Sequence, residues 1–338
     1  MRQDGVTKMA VLVTGGAGYI GSHMVWELID AGEEVVVLDR LSTGFDWAVA
    51  PEAKLVVGDV GDGALVARLI ADHAIDAIIH FAGSIIVPES VADPLAYYDN
   101  NTAKTRALIE TAVKGGVKHF IFSSTAAVYG AAGAEPVAEG AALNPESPYG
   151  RSKLMSEWML ADAAAAYDLR YTALRYFNVA GADPKGRTGQ STKGATHLIK
   201  VAGEAALGKR PFIEVFGTDY PTPDGTCIRD YIHVSDLAAA HRLALERLRR
   251  GGDSIVANCG YGHGYSVFEV LDSVRRVHGR DFDVRIAGRR PGDAAAVVAD
   301  PSLARRELGW APRLDDLDGI VGSALDWERR LSTMNARR

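Results

Sequence analysis

The chain has 338 residues, 47% hydrophobic and 24% charged, the balance of a soluble globular protein with one large domain or two joined ones. Its formal charge of −6 leaves no basic excess to attract a nucleic-acid backbone, and no stretch of eighteen apolar residues is present to span a bilayer. Cys227 and Cys259 are far apart and in no metal-ligand spacing, so the expectation is a reducing, cytoplasmic compartment and no bound metal.

Residues 1–8 read as a frayed leader without functional weight. From there to about residue 180, short apolar runs at 10–14, 35–39, 54–58, 77–81, 119–123 and 171–175 predict buried strands. Helical patterns separate them. In the first, Ile20, Met24, Val25, Leu28 and Ile29 share one face, and Gly32 ends the run. Strand and helix in strict alternation predict an α/β fold: a parallel sheet with helices on both faces and ligands at the carboxyl ends of its strands. After residue 180 the texture changes to loop-like stretches, G-A-D-P-K-G-R-T-G-Q and D-Y-P-T-P-D-G-T, with helices predicted over 194–207, 235–249, 266–277 and 315–331. The expected organisation is a nucleotide-binding domain over 9–180, rejoined by about 231–262 through a strand at 254–258. Residues 181–230 and 263–335 would form a smaller mixed α/β domain.

T-G-G-A-G-Y-I-G follows the first strand and opens the first helix. It satisfies G-x-G-x-x-G through Gly16, Gly18 and Gly21, and a second glycine spacing through Gly15, Gly18 and Gly21. Glycine permits the tight turn and lets a pyrophosphate approach the amides at a helix start. Asp39 ends the next strand, 18 positions after Gly21, where a carboxylate binds ribose hydroxyls. An acid there repels a 2′-phosphate, which favours NAD over NADP; Arg40 beside it pulls weakly the other way.

Tyr149 and Lys153 stand one helical turn apart in S-P-Y-G-R-S-K. By itself that spacing fits an ordinary exposed pair as well as an activated phenol, and context decides. The strand at 119–123 runs into S-S-T-A-A-V-Y-G, which leaves Thr125 at a strand end on the ligand side. A Tyr of reference pKa near ~10 must come down about three units to act as a base at neutral pH, roughly 4 kcal/mol. One cation at ~4 Å and an effective dielectric near 20 supplies about that much.

A hydroxyl, a Tyr and a Lys so placed, together with the glycine loop, resemble the extended short-chain dehydrogenase/reductase superfamily from about Met9 to Trp310. More specific stretches resemble the UDP-glucose 4-epimerases, also called UDP-galactose 4-epimerases: H-F-A-G, P-E-S-V-A-D-P-L-A-Y-Y-D-N-N, R-Y-F-N-V-A-G-A, F-G-T-D-Y-P-T-P-D-G-T-C-I-R-D-Y-I-H-V-S-D-L and R-R-P-G-D. The resemblance implies a Rossmann-type doubly wound parallel sheet with a smaller, substrate-binding C-terminal domain. It implies NAD held by Gly15, Gly18, Tyr19, Ile20, Gly21, Asp39, Arg40, Ser42 and Thr43. Asp59 and Val60 would flank the adenine, and Phe81, Ala82, Gly83, Asn100, Ser123, Tyr149, Lys153 and Phe177 complete the cofactor set. A UDP-sugar would meet Thr125, Tyr149, Asn178, His197, Leu198, Phe216, Arg229, Arg290 and Asp293, with His197 packing or offering backbone rather than acting as a base. Guanidinium groups suit a diphosphate and an aromatic ring suits uracil.

The implied chemistry is transient oxidation at the sugar C4. Tyr149 takes the proton of the 4-hydroxyl while NAD takes the hydride, the ketose turns, and the hydride returns to its opposite face. Catalytic roles therefore fall to Tyr149, Lys153 and Thr125. A homodimer through helices near 93–114 and 149–167 is implied as well. Three positions depart from the family pattern. Thr125 replaces a common serine and keeps the hydroxyl. Ile85 replaces a lysine that some relatives carry near the cofactor, which bears on NAD retention. Val297 replaces a bulky tyrosine beside the sugar, which suggests room for an N-acetyl group and hence a UDP-N-acetylglucosamine or other UDP-sugar 4-epimerase. A nucleotide-sugar 4,6-dehydratase would need acidic residues directly after Thr125, where Ala126 and Ala127 stand. A non-catalytic NAD-sensing regulator would have no use for Tyr149, Lys153 and Thr125 together.

Overall fold

The computed structural model describes residues 9–131, 135–290 and 293–335; the leader at 1–8 and the Pro-Gly of R-R-P-G-D lie outside the described residues. In chain order the elements are β1 (Ala10–Thr14), α1 (Tyr19–Asp30), β2 (Glu34–Asp39), β3 (Lys54–Val57), α2 (Gly63–Asp72), β4 (Ile75–His80), α3 (Val87–Ala92) and α4 (Pro94–Tyr97). A π-helical turn (Tyr98–Ala103) leads into α5 (Lys104–Lys114), followed by β5 (His119–Ser123), α6 (Pro148–Ala166), β6 (Arg170–Tyr176), β7 (Asn178–Ala180) and α7 (Leu198–Ala206). Then come β8 (Ile213–Phe216), β9 (Ile228–Arg229), β10 (Tyr231–His233), α8 (Val234–Arg249), β11 (Ile255–Cys259), β12 (Tyr265–Ser266) and α9 (Val267–His278). The chain closes with β13 (Val284–Ala287), β14 (Ala296–Val297), α10 (Ser302–Leu308) and α11 (Leu317–Asn335). Among the described residues no helix is long and apolar enough to cross a membrane.

Seven strands form one sheet in the order β11-β6-β5-β4-β1-β2-β3, and the pairings from β6 through β3 are parallel. This is the Rossmann order, whose direction reverses between β1 and β4. The central strands are nearly continuous apolar runs because both faces are covered, whereas edge strand β3 leaves Lys54 and Val57 exposed. Leu12, Leu38, Ile78, Phe120 and Phe122 pack with Leu108 and Leu160 from flanking helices, all fully buried. Each such side chain contributes about 1.5–3 kcal/mol relative to leaving it in water.

The chain divides into two units. The first comprises the residues up to Ser124, Ser147–Leu174 and His241–Val256; the second comprises Thr125–Glu146, Arg175–Ala240 and the chain from Ala257 onward. This division is more interleaved than a break near residue 180. Residues 125–146 group with the second unit because they leave the sheet after β5: Val137 bridges Ala299, and its carbonyl accepts from Asn258 Nδ2 at 2.7 Å. Of the segment 231–262, only 241–256 groups with the first unit.

In the second unit α7, α9 and α11 pack on one another. Buried Glu328 of α11 receives Lys200 and Lys209 from α7 and its following turn. α9 starts with a capping box, Ser266 and Glu269 each satisfying the other's backbone amide, and ends at left-handed Gly279. Expectation and structure differ at α7, which begins at Leu198 rather than near 194. Gly194 is left-handed (φ +70°) and His197 is extended, so neither continues a helix. The small pairings β7–β10, β8–β13 and β12–β9–β14 went unpredicted; two to four residues are too few to show a period.

Candidate active site

The loop after β1 is built from contacts only glycine permits. A Cβ on Gly21 would stand 2.1 Å from the Gly15 carbonyl oxygen, and one on Gly15 would stand 2.6 Å from the Ala82 amide nitrogen. Gly15 is also left-handed, at φ +71°. The loop thus lies flat against the end of β4 and opens α1 without any side-chain cap at Gly18 and without an acid in the first turn. A helix start of that kind, with a backbone cradle that a Cβ would fill, fits a pyrophosphate. Tyr19 and Ile20 begin α1 and are half-buried.

Asp39 ties the loop to β2. One carboxylate oxygen accepts from the Ala17 amide at 2.9 Å and the other from Leu41 at 2.8 Å. Ser42 and Thr43 follow on an exposed turn. Arg40, which could have favoured a 2′-phosphate, is engaged by Asp59 at 3.3 Å, and Lys104 reaches the same carboxylate at 2.7 Å. Burial acts to raise the Asp59 carboxyl, but the hydrogen bonds from Lys104 and the Gly61 amide, joined by the Lys104 and Arg40 charges, together hold it below its ordinary range. Val60 beside it is buried.

Phe81, Ala82 and Gly83 leave the end of β4, and the π-helical turn braces them. Asn100 Nδ2 donates to Ser84 Oγ at 3.0 Å. Asn101 closes a ring with the Ser84 backbone, accepting from its amide at 2.7 Å and donating to its carbonyl at 2.9 Å. A Cβ on Gly83 would approach Asn101 Oδ1 at 3.0 Å. His80, the last residue of β4, bridges Thr14 Oγ1 at 2.6 Å and Thr105 Oγ1 at 2.9 Å. Burial, with a smaller push from the Lys153 charge, lowers its pKa to about 3, so the ring stays neutral and clamps β1 to α5. Asn101, His80 and Thr105 were not singled out from the sequence, although H-F-A-G and Y-D-N-N contain the first two.

α6 begins at Pro148, with Ser147 accepting from the Gly150 amide at 3.1 Å as its N-cap. That start fixes the rotation of the helix and buries Tyr149 and Lys153 along one face. Tyr149 meets Tyr97 edge-on, with ring centroids 6.5 Å apart. Lys153 Nζ donates to the Ser123 carbonyl at 3.0 Å and sits 4.9 Å from the centre of the Phe122 ring. Burial pushes the Lys153 ammonium down from 10.5 to about 8, while the Glu157 carboxylate pulls it partly back. Ser123, expected at the cofactor, thus also anchors the lysine through its backbone.

The remaining expected residues lie in the second unit. Thr125 is buried and caps a short turn, its Oγ1 accepting from the Ala127 amide at 3.1 Å. Phe177 is buried, and Asn178 opens β7, its amide donating to the Asp230 carbonyl at 2.9 Å. His197 is half-buried, 3.4 Å from Gln190 Nε2, and desolvation lowers its pKa; Leu198 starts α7 beside it. Phe216, Arg229, Arg290 and Asp293 come together. The Arg290 guanidinium lies 3.7 Å from the centre of the Phe216 ring, and Arg229 approaches the Asp293 carboxylate at 3.5 Å. The Asp293 amide donates to the Arg290 carbonyl, and Val297 is paired with Arg229 across β14 and β9. Two guanidinium groups and a ring so gathered suit a nucleoside diphosphate. Sequence reading missed Arg289, which stacks on Tyr220 at 4.2 Å and pairs with Asp219 at 2.7 Å.

A Rossmann sheet, a glycine cradle with its strand-end Asp, and a buried Tyr and Lys one turn apart define a dinucleotide-dependent enzyme of the short-chain dehydrogenase/reductase type. The family described as "NAD dependent epimerase/dehydratase family" matches residues 11–260, and the chain belongs to it. It is 58% identical to the UDP-glucose 4-epimerase of Azospirillum brasilense over 321 residues, 95% of this chain and 92% of that protein. The crystal structure of UDP-glucose 4-epimerase from Brucella ovis in complex with NAD superposes with a TM-score of 0.92 at 47% identity, covering 94% of this chain and 98% of that one. The UDP-Glc/GlcNAc 4-epimerase of Campylobacter jejuni gives 0.84 at 48% identity, covering 95% and 99%.

Proposed function

We infer that this chain is an NAD-dependent UDP-glucose 4-epimerase that interconverts UDP-glucose and UDP-galactose. The observation that carries this reading is the buried Tyr149–Lys153 face of α6 in a chain 58% identical, over nearly its whole length, to a protein of that name. The chemistry NAD supplies when bound is reversible hydride exchange with a sugar carbon. The protein's own work is proton handling and grip. Tyr149 takes the proton of the 4-hydroxyl and returns it, Lys153 holds a positive charge near the phenol, and Thr125 offers a hydrogen bond to the same hydroxyl. Gly15, Gly18, Gly21 and Asp39 hold the cofactor. Phe216, Arg229, Arg290 and Asp293 hold the UDP moiety, with Asn178, His197 and Leu198 in support. The first unit is the NAD-binding domain in this reading and the second binds the sugar nucleotide.

A substrate panel tests it. Purified protein given UDP-galactose should form UDP-glucose without added reductant; accumulation of a 4-keto-6-deoxy sugar, or no product, rejects the reading. UDP-N-acetylgalactosamine belongs in the same panel, because Val297 stands in register with Arg229 and a relative 48% identical is named a UDP-Glc/GlcNAc 4-epimerase. Turnover of the acetylated sugar within about tenfold of UDP-galactose is expected, the low end of the roughly 10–200-fold that a single methylene in a pocket is worth. Val297→Tyr should abolish it and spare UDP-galactose. No turnover of the acetylated sugar by the wild type rejects the roomier pocket.

The proposal extends to a homodimer in the cytoplasm. Val91, Leu95 and Trp158 on α3, α4 and α6 are 64%, 77% and 55% exposed, and Ile85, Ile86 and Val87 adjoin them in the chain. Both α3 and α4 pack on α6, so these apolar side chains belong to one group of helices. Light scattering should give a mass near twice 36.1 kDa, and a stable monomer would contradict it. Cys227 and Cys259 are both free, as suits a reducing compartment.

A further inference from the structure

Tyr220 lies in the loop between β8 and β9 and is 6% exposed. Its backbone is satisfied: the amide donates to the Gly225 carbonyl at 2.9 Å, and the carbonyl accepts from the Thr222 amide at 2.8 Å. Its ring is packed as well. The Arg289 guanidinium lies 4.2 Å from the ring centre, and a Cβ on Gly217 would stand 2.7 Å from ring atom Cε2. Gly217 and Arg289 are the chain neighbours of Phe216 and Arg290, which make the matching cation–ring contact beside them. The hydroxyl is the exception. It is buried and has no hydrogen-bond partner among the described residues. A buried Tyr hydroxyl normally finds a partner, because leaving it without one costs stability.

We propose that Tyr220 is a further substrate-binding residue, whose hydroxyl donates a hydrogen bond to the nucleoside diphosphate gathered by Phe216, Arg229 and Arg290. This rests on the assignment of that cluster to UDP. The surroundings of the hydroxyl point the same way. The ionisable groups whose fields reach the phenol are Asp293, Cys227, Arg289 and Arg229, and two of these belong to the cluster itself. The Asp293 carboxylate is approached by Arg229 at 3.5 Å and takes no bond from Tyr220. Burial, helped by Asp293, raises the phenol pKa, so at neutral pH the group is a neutral donor. A nucleoside diphosphate offers what such a donor needs, acceptor oxygens on its phosphates and on its base. The bond is made to the nucleotide and not to the reacting sugar carbon, so it strengthens ground state and transition state alike.

Tyr220→Phe tests this, because it removes the oxygen and keeps the ring with its contacts to Gly217 and Arg289. Two readouts on the full-length, NAD-loaded protein should move in opposite senses. Without UDP, the melting temperature should equal or exceed that of the wild type, since the variant no longer buries an unmatched hydroxyl. With UDP, calorimetry should show binding weakened about tenfold, the scale of one hydrogen bond. The rise in melting temperature on adding UDP should shrink to match. For UDP-galactose, KM should rise by a similar factor while kcat stays within about twofold. A tyrosine that only packs the loop would leave UDP affinity unchanged in the Phe variant, and that result overturns the proposal. A lower melting temperature without UDP also overturns it, since the hydroxyl would then be bonded within the chain. Failure of the wild type itself to bind UDP removes the assignment of the whole cluster, whereas equal UDP binding by both proteins removes Tyr220 alone.

Discussion

Tyr149→Phe is expected to slow the interconversion of UDP-galactose and UDP-glucose by about 10²–10⁴-fold, the range that a positioned acid–base group contributes. The substitution removes one oxygen and keeps the ring. The edge-on contact with Tyr97 remains, and so do the α6 cap at Ser147 and the Lys153 bond to Ser123. NAD affinity and melting temperature should therefore stay close to wild type, while kcat falls. That combination separates lost proton transfer from a damaged fold. A Phe variant that retains wild-type kcat would remove Tyr149 from the mechanism and require another base.

Gly21→Ala should cost the protein its cofactor. The added methyl would stand 2.1 Å from the Gly15 carbonyl oxygen and 2.8 Å from its carbon, and both are backbone atoms that cannot swing aside as a side chain would. Either the loop opens or α1 shifts, and both spoil the cradle at the helix start. Overpacking of this kind costs about 1–3 kcal/mol, so NAD should bind roughly 10- to 100-fold more weakly by calorimetry, with a lower melting temperature. The equivalent change at Gly32, where an added Cβ would meet nothing within 4 Å beyond its chain neighbours, makes no such clash and strains only its left-handed backbone. Wild-type NAD affinity in Gly21→Ala would show that the loop does not hold the cofactor in the way proposed.

Parts of the molecule were determined by the sequence alone because they depend on local backbone rules. The glycine spacing is legible since only glycine survives the contacts at Gly15 and Gly21. Asp39 is legible because a strand end fixes its distance from that loop. The Tyr149–Lys153 face follows from helical periodicity and the Pro148 start, and the central strands follow from apolar runs that both sheet faces require. The association of Phe216, Arg229, Arg290 and Asp293 rested on resemblance rather than on pattern, since these residues are scattered over loops and short strands.

Tertiary structure alone decided the partners. Ser124 and Glu157 are 33 positions apart, and Thr14 and His80 are 66 apart, so no local period announces either bond. It also decided that Arg40 is engaged by Asp59, that Asn101 locks Ser84, and that residues 125–146 join the second unit. The reason is common to all of them. A polar group chooses its partner when packing strips away its water, and which groups lose water together is set by how distant elements meet.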